Sequence, residues 1–467
     1  MRPITAALGA AMAALILAGA AHTATFGITD DAGKYAEDGG ASFFSMLNDL
    51  GMNENRITVR WDPAAPTTIP DQAFLDRSIP QANAHGIQVV FSIYPAKALA
   101  LAETPNGVQL FAQFAAKVAA RYPSVTRIIC LNEGNQPRFH QPQFDANGNG
   151  VAGALQEQAL AACYDALKAV NPAIDVIGFG FSGRGNDDFE ATSNVSHSPL
   201  RLLKEIGDAY RASGRTTPIA DDVALHCYPN TNTDAPTVGF SWPNYGCVNL
   251  DRFKQGWWDA FHGTGQPVFA EDGGPGVRAF VDETGYQVAV PADKAGLYQG
   301  AENVKTIDEA TQASYYTQLI ALMACDPNVA LFNFFHAVDE VSLPAWQSGL
   351  VLADGTHRAA YAAVKDAVAR NRTCQGTPHA WHHSDRVAGA TATLKAGKLT
   401  LRADEDFAYA VKAGAKTLRG SGDAARDVTL KLGSLGRGPK KLRITLSAWA
   451  TSDRATSFAR TFRGTRR

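Results

Sequence analysis

The chain has 467 residues, 45% of them apolar, with 23 prolines spread along it. That length exceeds one ordinary domain and suits a barrel of roughly 250–350 residues with a smaller module attached; the apolar content excludes a disordered protein. The formal net charge is −2, but from Gln375 onward there are 18 Lys and Arg against 7 Asp and Glu, leaving 25 against 38 before it, so an acidic body carries a basic tail.

Arg2, the apolar stretch 4–17 and Ala18-Gly19-Ala20 follow each other in the order of a cleavable export signal over residues 1–20. The stretch is short for a membrane span and lacks a basic stop-transfer flank, which predicts a secreted, extracellular protein. Strand-like and helix-period segments then alternate. Strands are predicted at 24–28, 56–60, 88–94, 125–131, 175–179, 222–226, 277–283 and 329–334. Helices follow each in turn at 43–50, 72–84, 108–121, 155–170, 200–212, 250–261, 309–324 and 357–370, the fourth and seventh stopping at Asn171-Pro172 and Asp326-Pro327. Eight strand–helix pairs in order predict a (β/α)8 TIM barrel over residues 21–374. The first turn, Thr29-Asp30-Asp31, has no Gly-x-Gly-x-x-Gly, which argues against a doubly wound nucleotide-binding sheet.

After Arg370 the helix period disappears. Short alternating runs at 392–395, 399–402, 408–411, 428–431 and 442–446 predict a small all-β, sandwich-like module over 386–467, reached by a linker at 375–385. His379, His382 and His383 in that linker are irregularly spaced, with no obvious acidic partner, so no metal site is expected there. Asp145-x-Asn147-x-Asn149-Gly150 copies half a calcium loop, but Gln156 stands where a bidentate Glu is required, and a polar turn is the better reading. Of six cysteines, Cys227 with Cys247 and Cys325 with Cys374 are plausible disulfide pairs, while Cys130 and Cys163 read as core residues.

In a barrel of this kind chemistry sits just after the strands. Strand four ends in Asn132-Glu133 and strand seven in Asp282-Glu283. Glycosidic cleavage needs one protonated carboxyl for the leaving oxygen and one ionised carboxyl on the other face of the sugar. Glu271, in Val268-Phe-Ala-Glu271, is a rival for the second role, but choosing it leaves the alternating run 277–281 without a place. Arg60, ending strand two, is a candidate cation for keeping Glu283 ionised, and His226 and Tyr228 end strand six. Asn132 is placed to bond a sugar 2-hydroxyl. Trp61, Tyr286 and His336, with Tyr94 and Trp242, lie where apolar sugar faces would find platforms.

The stretch Asn132-Glu133-Gly134-Asn135-Gln136-Pro137-Arg138-Phe139 resembles the Asn-Glu-Pro-Asn-x-x-x-Phe signature of clan A retaining glycoside hydrolases, which are (β/α)8 barrels. It is nearest the β-xylosidase and α-iduronidase branch and is also similar to cellulase-type members. Asp282-Glu283-Thr-Gly-Tyr286 is similar to the clan's Thr-Glu-x-Gly-aromatic, and His226-Cys-Tyr228 to its His-x-Tyr. The likeness spans about residues 25–370 and implies Glu133 as acid/base, Glu283 as nucleophile and Tyr228 as a hydrogen-bond donor to Glu283. The sequence departs from the pattern at Gly134, where the clan has Pro, and at His336, where it commonly has Trp. The resemblance implies a secreted hydrolase of O-glycosidic bonds in a poly- or oligosaccharide, without metal or organic cofactor. The basic tail reads first as a solvated charged surface, with contact to acidic cell-wall polymer or polysaccharide as the sharper reading; no nucleic acid and no membrane span are expected. The alternative is a non-catalytic carbohydrate-binding barrel. No Gly-x-Ser-x-Gly elbow supports an esterase.

Overall fold

A computed structural model describes residues 24–435 and 439–463; the predicted export signal lies outside the described residues. Eight parallel strands close into a barrel in sequence order: β1 (Thr25–Thr29), β2 (Glu54–Trp61), β3 (Gln88–Pro95), β4 (Arg127–Cys130), β5 (Asp175–Ser182), β6 (Asp222–His226), β7 (Ala279–Glu283) and β8 (Val329–Phe334). Helices surround them: short α1 (Ala32–Tyr35), α2 (Ala41–Asp49), α3 (Gln72–Ala84), short α4 (Ala100–Glu103), α5 (Gly107–Arg121), α6 (Ala152–Val170), α7 (Pro199–Ser213), α8 (Leu250–Phe261), α9 (Glu309–Ala324) and α10 (Ala359–Arg370). Two of these, α1 and α4, were not predicted; each is a single turn, too short to show a period.

Alternation along each strand divides the core. Val90, Ile129, Ile177, Ala224, Phe280 and Leu331 fill the barrel interior, while the neighbours of these residues face the helix ring and join a much larger apolar layer. Local signals set the helix ends: Pro199 opens α7, Gly214 closes it at φ 70°, and the Asp308 carboxylate caps α9 by accepting from Thr311 N (2.7 Å). Above the strands, long connections after β6, β7 and β8 build the walls of a cleft. The first of them is tied by the Cys227–Cys247 disulfide, and Cys325–Cys374 links the end of α9 to the chain beyond α10.

The tail folds as two antiparallel sheets. One has the order β13-β10-β9, from β9 (Thr391–Lys395), β10 (Lys398–Arg402) and β13 (Val428–Lys431). The other has the order β12-β11-β14-β15, from β11 (Phe407–Ala413), β12 (Lys416–Gly422), β14 (Pro439–Ala448) and β15 (Ala455–Arg463). Leu399, Leu401, Phe407, Val411, Ile444 and Leu446 are fully buried between them. The outer face of the smaller sheet carries Lys395, Lys398 and Lys431 directly in register across three strands.

This module is bolted to the barrel. The buried Arg454 guanidinium bonds Asp259 of α8 (2.7 Å) and Glu405 (2.6 Å). The segment 375–385 lies along the same flank: Trp381 is buried against Phe269, and the His383 ring stacks on Trp258 at 3.9 Å.

Candidate active site

Strand order brings Glu133 and Glu283 together at the C-terminal end of the barrel. One carboxylate oxygen from each, and one nitrogen of His226, lie within 4.8 Å of one another. Glu133 is reached through a distorted backbone, with Leu131 at φ 74° and Glu133 at φ 39°. Left-handed conformations at non-glycine residues cost about 1–3 kcal/mol each and persist where surrounding structure enforces them, commonly at functional sites. Part of that enforcement is visible: Glu133 N donates to Gly180 O (2.7 Å), and Asn135 ties the following turn to Ser182 through both its amide atoms. Gly134 has a local cause as well. A Cβ there would sit 2.0 Å from the buried Gln156 amide, whose Nε2 donates to the Gly134 carbonyl (2.9 Å).

The cation beside Glu283 is Arg56, which corrects the expectation for Arg60. Arg56 Nη1 bonds Glu283 Oε1 (2.6 Å), Nε pairs with Asp282 Oδ2 (2.9 Å), and Nη2 donates to Asn132 Oδ1 (2.6 Å) and Ser92 Oγ (2.8 Å). One guanidinium thus joins β2, β3, the end of β4 and β7. Barrel stagger explains the error. Thr29, the last residue of β1, pairs with Arg56, so β2 runs well past the level of the site. Arg60, four residues on, stands about 13 Å further along at ~3.3 Å per residue. It is exposed at the cleft rim.

His226 bridges the carboxyls. Its Nδ1 lies 2.9 Å from Glu133 Oε1 and 3.4 Å from Glu283 Oε2, and its Nε2 lies 3.5 Å from Asp282 Oδ1. Burial alone would lower its pKa, but the charges of Glu283 and Asp282 and the hydrogen bonds to Asp282 and Glu133 outweigh it and hold it at about 10. The ring is therefore an imidazolium at neutral pH. Three carboxyls then face two cations, Arg56 and His226, and the cluster is neutral when one carboxyl carries a proton. Tyr228 OH donates to Glu283 Oε2 (3.0 Å); burial, then the charges of Glu283 and Glu133, raise its pKa and keep it a donor. Asn132, its oxygen held by Arg56, turns its amide N–H2 toward the cleft it lines.

His336 lines the same wall. Its Nδ1 is 3.0 Å from the Thr29 carbonyl, and its buried Nε2 has no partner among the described residues. Trp61 and Tyr286 are corrections: neither offers a sugar platform. Residues 57, 59 and 61 of β2 face the helix ring, so Trp61 is buried against Phe111 of α5. Tyr286 is buried against Tyr315 and Tyr316 of α9, with its hydroxyl bonding Asp234 O (3.0 Å). The rings that do line the cleft include Trp346 and Phe240, both on long connections that carry no period to mark them. Trp346 packs on Tyr228 at 4.8 Å.

The cleft extends on both sides of the carboxyls. One flank, about 760 Å³, contains Arg56, Asn132, Glu283 and His336; the other, about 660 Å³, contains Gln136, Arg184, Asn230, Phe240 and Lys305. Glu133, Tyr228 and Trp346 belong to both. Glu271 is in neither. It lies before β7, at the opposite end from Glu283, exposed and bonded by His382 and His383.

Glu133, His226 and Glu283 are also the group of described residues whose ligand atoms converge closely enough for a metal ion. The donor set fits a proton better. The Arg56 guanidinium, 2.6 Å from Glu283 Oε1, already supplies positive charge there, and the Tyr228 hydroxyl occupies the other oxygen, so a divalent ion would sit against a fixed cation. Asp145, in the half-copy of a calcium loop, instead accepts from Asn147 N and Asn149 N within a tight polar turn.

No family model matches the sequence, and no characterised protein matches it by sequence. Solved structures do resemble the fold. A family 39 glycoside hydrolase from the gut symbiont Bacteroides cellulosilyticus WH2 superposes with TM-score 0.52 at 13% identity, covering 88% of this chain and 81% of that one. A GH5_18 protein from Streptomyces cattleya, crystallised with GlcNAc, gives TM-score 0.50 at 17% identity, covering 77% and 83%. This chain spans 46% of the length of Bacteroides uniformis β-glucuronidase, which gives TM-score 0.46 at 13% identity. At these identities the first two likenesses establish a shared barrel architecture and nothing finer.

Proposed function

We propose that the protein is an exported glycoside hydrolase that cleaves an oligo- or polysaccharide with retention of anomeric configuration. The observation that carries this reading is the Glu133–Glu283 pair at the ends of β4 and β7, with oxygens within 4.8 Å. Retaining enzymes place their carboxyl groups about 5–5.5 Å apart and inverting ones about 6.5–9.5 Å. The barrel shared with glycoside hydrolases of families 39 and 5 is consistent with it. Two disulfides support export to an oxidising compartment. The in-register lysines of the tail support contact with acidic polymer.

Each group has a task in such a reaction. Glu283, ionised beside Arg56 and Tyr228, attacks the anomeric carbon, while Glu133 delivers a proton to the departing oxygen. In the second half Glu133 takes a proton from water, which attacks the same carbon and releases Glu283. Asn132 donates to the 2-hydroxyl, and His336 lines the wall of the same subsite. His226, an imidazolium in contact with both carboxyls, offsets their charge as the proton moves. Because Glu283, Asn132 and His336 line only the larger flank, that flank holds the sugar that is attacked. The smaller flank, beyond Glu133, holds the leaving group.

Activated 2-deoxy-2-fluoro-β-glycosides of several sugars test the reading. One of them should inactivate the protein and add its glycosyl mass to the peptide containing Glu283. Turnover that survives in both Glu133→Gln and Glu283→Gln would refute it, as would labelling of Glu271.

A further inference from the structure

The flank beyond Glu133 has a one-sided charge. Besides Glu133 itself, its charged lining residues are Arg184 and Lys305. Neither is in an ion pair among the described residues.

Both cations are held on fixed backbone. Arg184 Nη1 donates to Asn230 O (2.9 Å), and the Arg184 carbonyl accepts from Asn135 Nδ2 (3.2 Å). The Lys305 carbonyl accepts from Asn232 Nδ2 (3.0 Å), and Asn232 also exchanges hydrogen bonds with Gln287 in both directions. Asn230 and Asn232 belong to one connection, the one closed by Cys227–Cys247. Arg184 Nε and Nη2 have no partner among the described residues, and a guanidinium fork takes a carboxylate, sulfate or phosphate through paired hydrogen bonds. A neutral ligand filling this flank would strip water from both cations and return nothing for their charge; an anionic one would neutralise them.

We infer that the leaving-group flank binds an anionic sugar residue, so that the substrate is an acidic glycan chain. This rests on the hydrolase reading above and on its assignment of the two flanks. Amide groups from Gln136 and Asn194 supply hydrogen bonds for hydroxyls, and Arg184 and Lys305 supply the selection for charge.

The test uses the full-length Glu133→Gln protein, which retains the cleft. Calorimetric titration compares an oligouronide, an O-sulfated oligosaccharide, a phosphodiester-linked oligosaccharide and a neutral β-linked oligosaccharide of equal length. At least one anionic probe should bind about tenfold tighter than the neutral one, and which probe does so identifies the anion. Adding Arg184→Gln and Lys305→Gln should weaken that probe about tenfold or more, since a hydrogen bond to a charged group contributes at least that factor. The charge-conserving Arg184→Lys with Lys305→Arg should retain most of the preference, which separates lost charge from a disturbed loop. Equal or better binding of the neutral probe would overturn the inference, and so would unchanged anionic binding after both cations are removed. Fluoroglycoside labelling of Glu283 is independent of these cations. If labelling succeeds while the preference is absent, this inference fails and the hydrolase reading stands; if labelling fails, the hydrolase reading itself is at fault.

Discussion

Replacing Arg56 with Met tests how the site and the barrel depend on each other. Arg56 is 3% exposed, Asp282 is 0% and Glu283 is 8% exposed, so the substitution leaves two buried carboxyls facing each other without their shared cation. Removing one partner of a buried ion pair costs about 3–5 kcal/mol. At about 2–4 °C per kcal/mol for a large domain, the melting temperature should fall by roughly 6–20 °C. Turnover should fall with it, because Glu283 loses the cation that positions it and Asn132 loses the bond that aims its amide. The assay is thermal unfolding of the full-length protein in parallel with rates on an aryl glycoside. Arg60→Met, at an exposed residue with no ion pair among the described residues, serves as the contrast and should leave the melting temperature unchanged. The reasoning is refuted if Arg56→Met melts within 2 °C of the parent and still turns over, or if Arg60→Met is the more damaging change.

His226 has a folded pKa of about 10 against an ordinary 6.5, so its contribution to stability is complete below pH 6.5 and is lost as pH rises toward 10. The loss should approach 1.4 kcal/mol per pH unit within that window, and the stability–pH curve of His226→Gln should lack this component. Glu133→Ala should spare glycosides with good leaving groups far more than those with poor ones, and added azide should yield a glycosyl azide of retained configuration; an azide of inverted configuration would contradict a covalent intermediate on Glu283. Arg454→Met should cost about 3–5 kcal/mol, because Asp259 and Glu405 stay buried without their cation. Denaturant unfolding that shows no such loss would mean that the tail is not bolted to α8 as described.

The order of elements was legible because hydrophobic period is local. All eight barrel strands and their principal helices lie within a few residues of where alternation and Asn-Pro or Asp-Pro stops place them. Glu133 and Glu283 were legible for the same reason, each ending a strand. What sequence concealed is non-local. Arg56 enters the site only through the offset between β1 and β2, a property of barrel closure that neither strand carries alone. Trp61 was misread although strand alternation places it opposite Arg56 and Arg60, a signal that was present in the sequence. Trp346 and Phe240 stand on irregular connections where no pattern marks them. In the tail, β12 and β15 lack an alternating apolar run: Lys416–Gly422 has Leu418 as its one large apolar residue, and Ala455–Arg463 has only Phe458 and Phe462, four residues apart.

Gly134 and Gln156 restrict how this sequence can change. The place of a Cβ at position 134 is occupied by the amide of Gln156, so proline at 134 must push that side chain aside and break its bond to the Gly134 carbonyl, or meet a smaller residue at 156. A smaller residue at 156 alone removes the donor to the Gly134 carbonyl and opens a void beneath the turn that presents Glu133. Each single step is disfavoured while the double change is sterically open. The two positions are therefore coupled, and a one-at-a-time mutational scan would charge each for a contact that belongs to the pair.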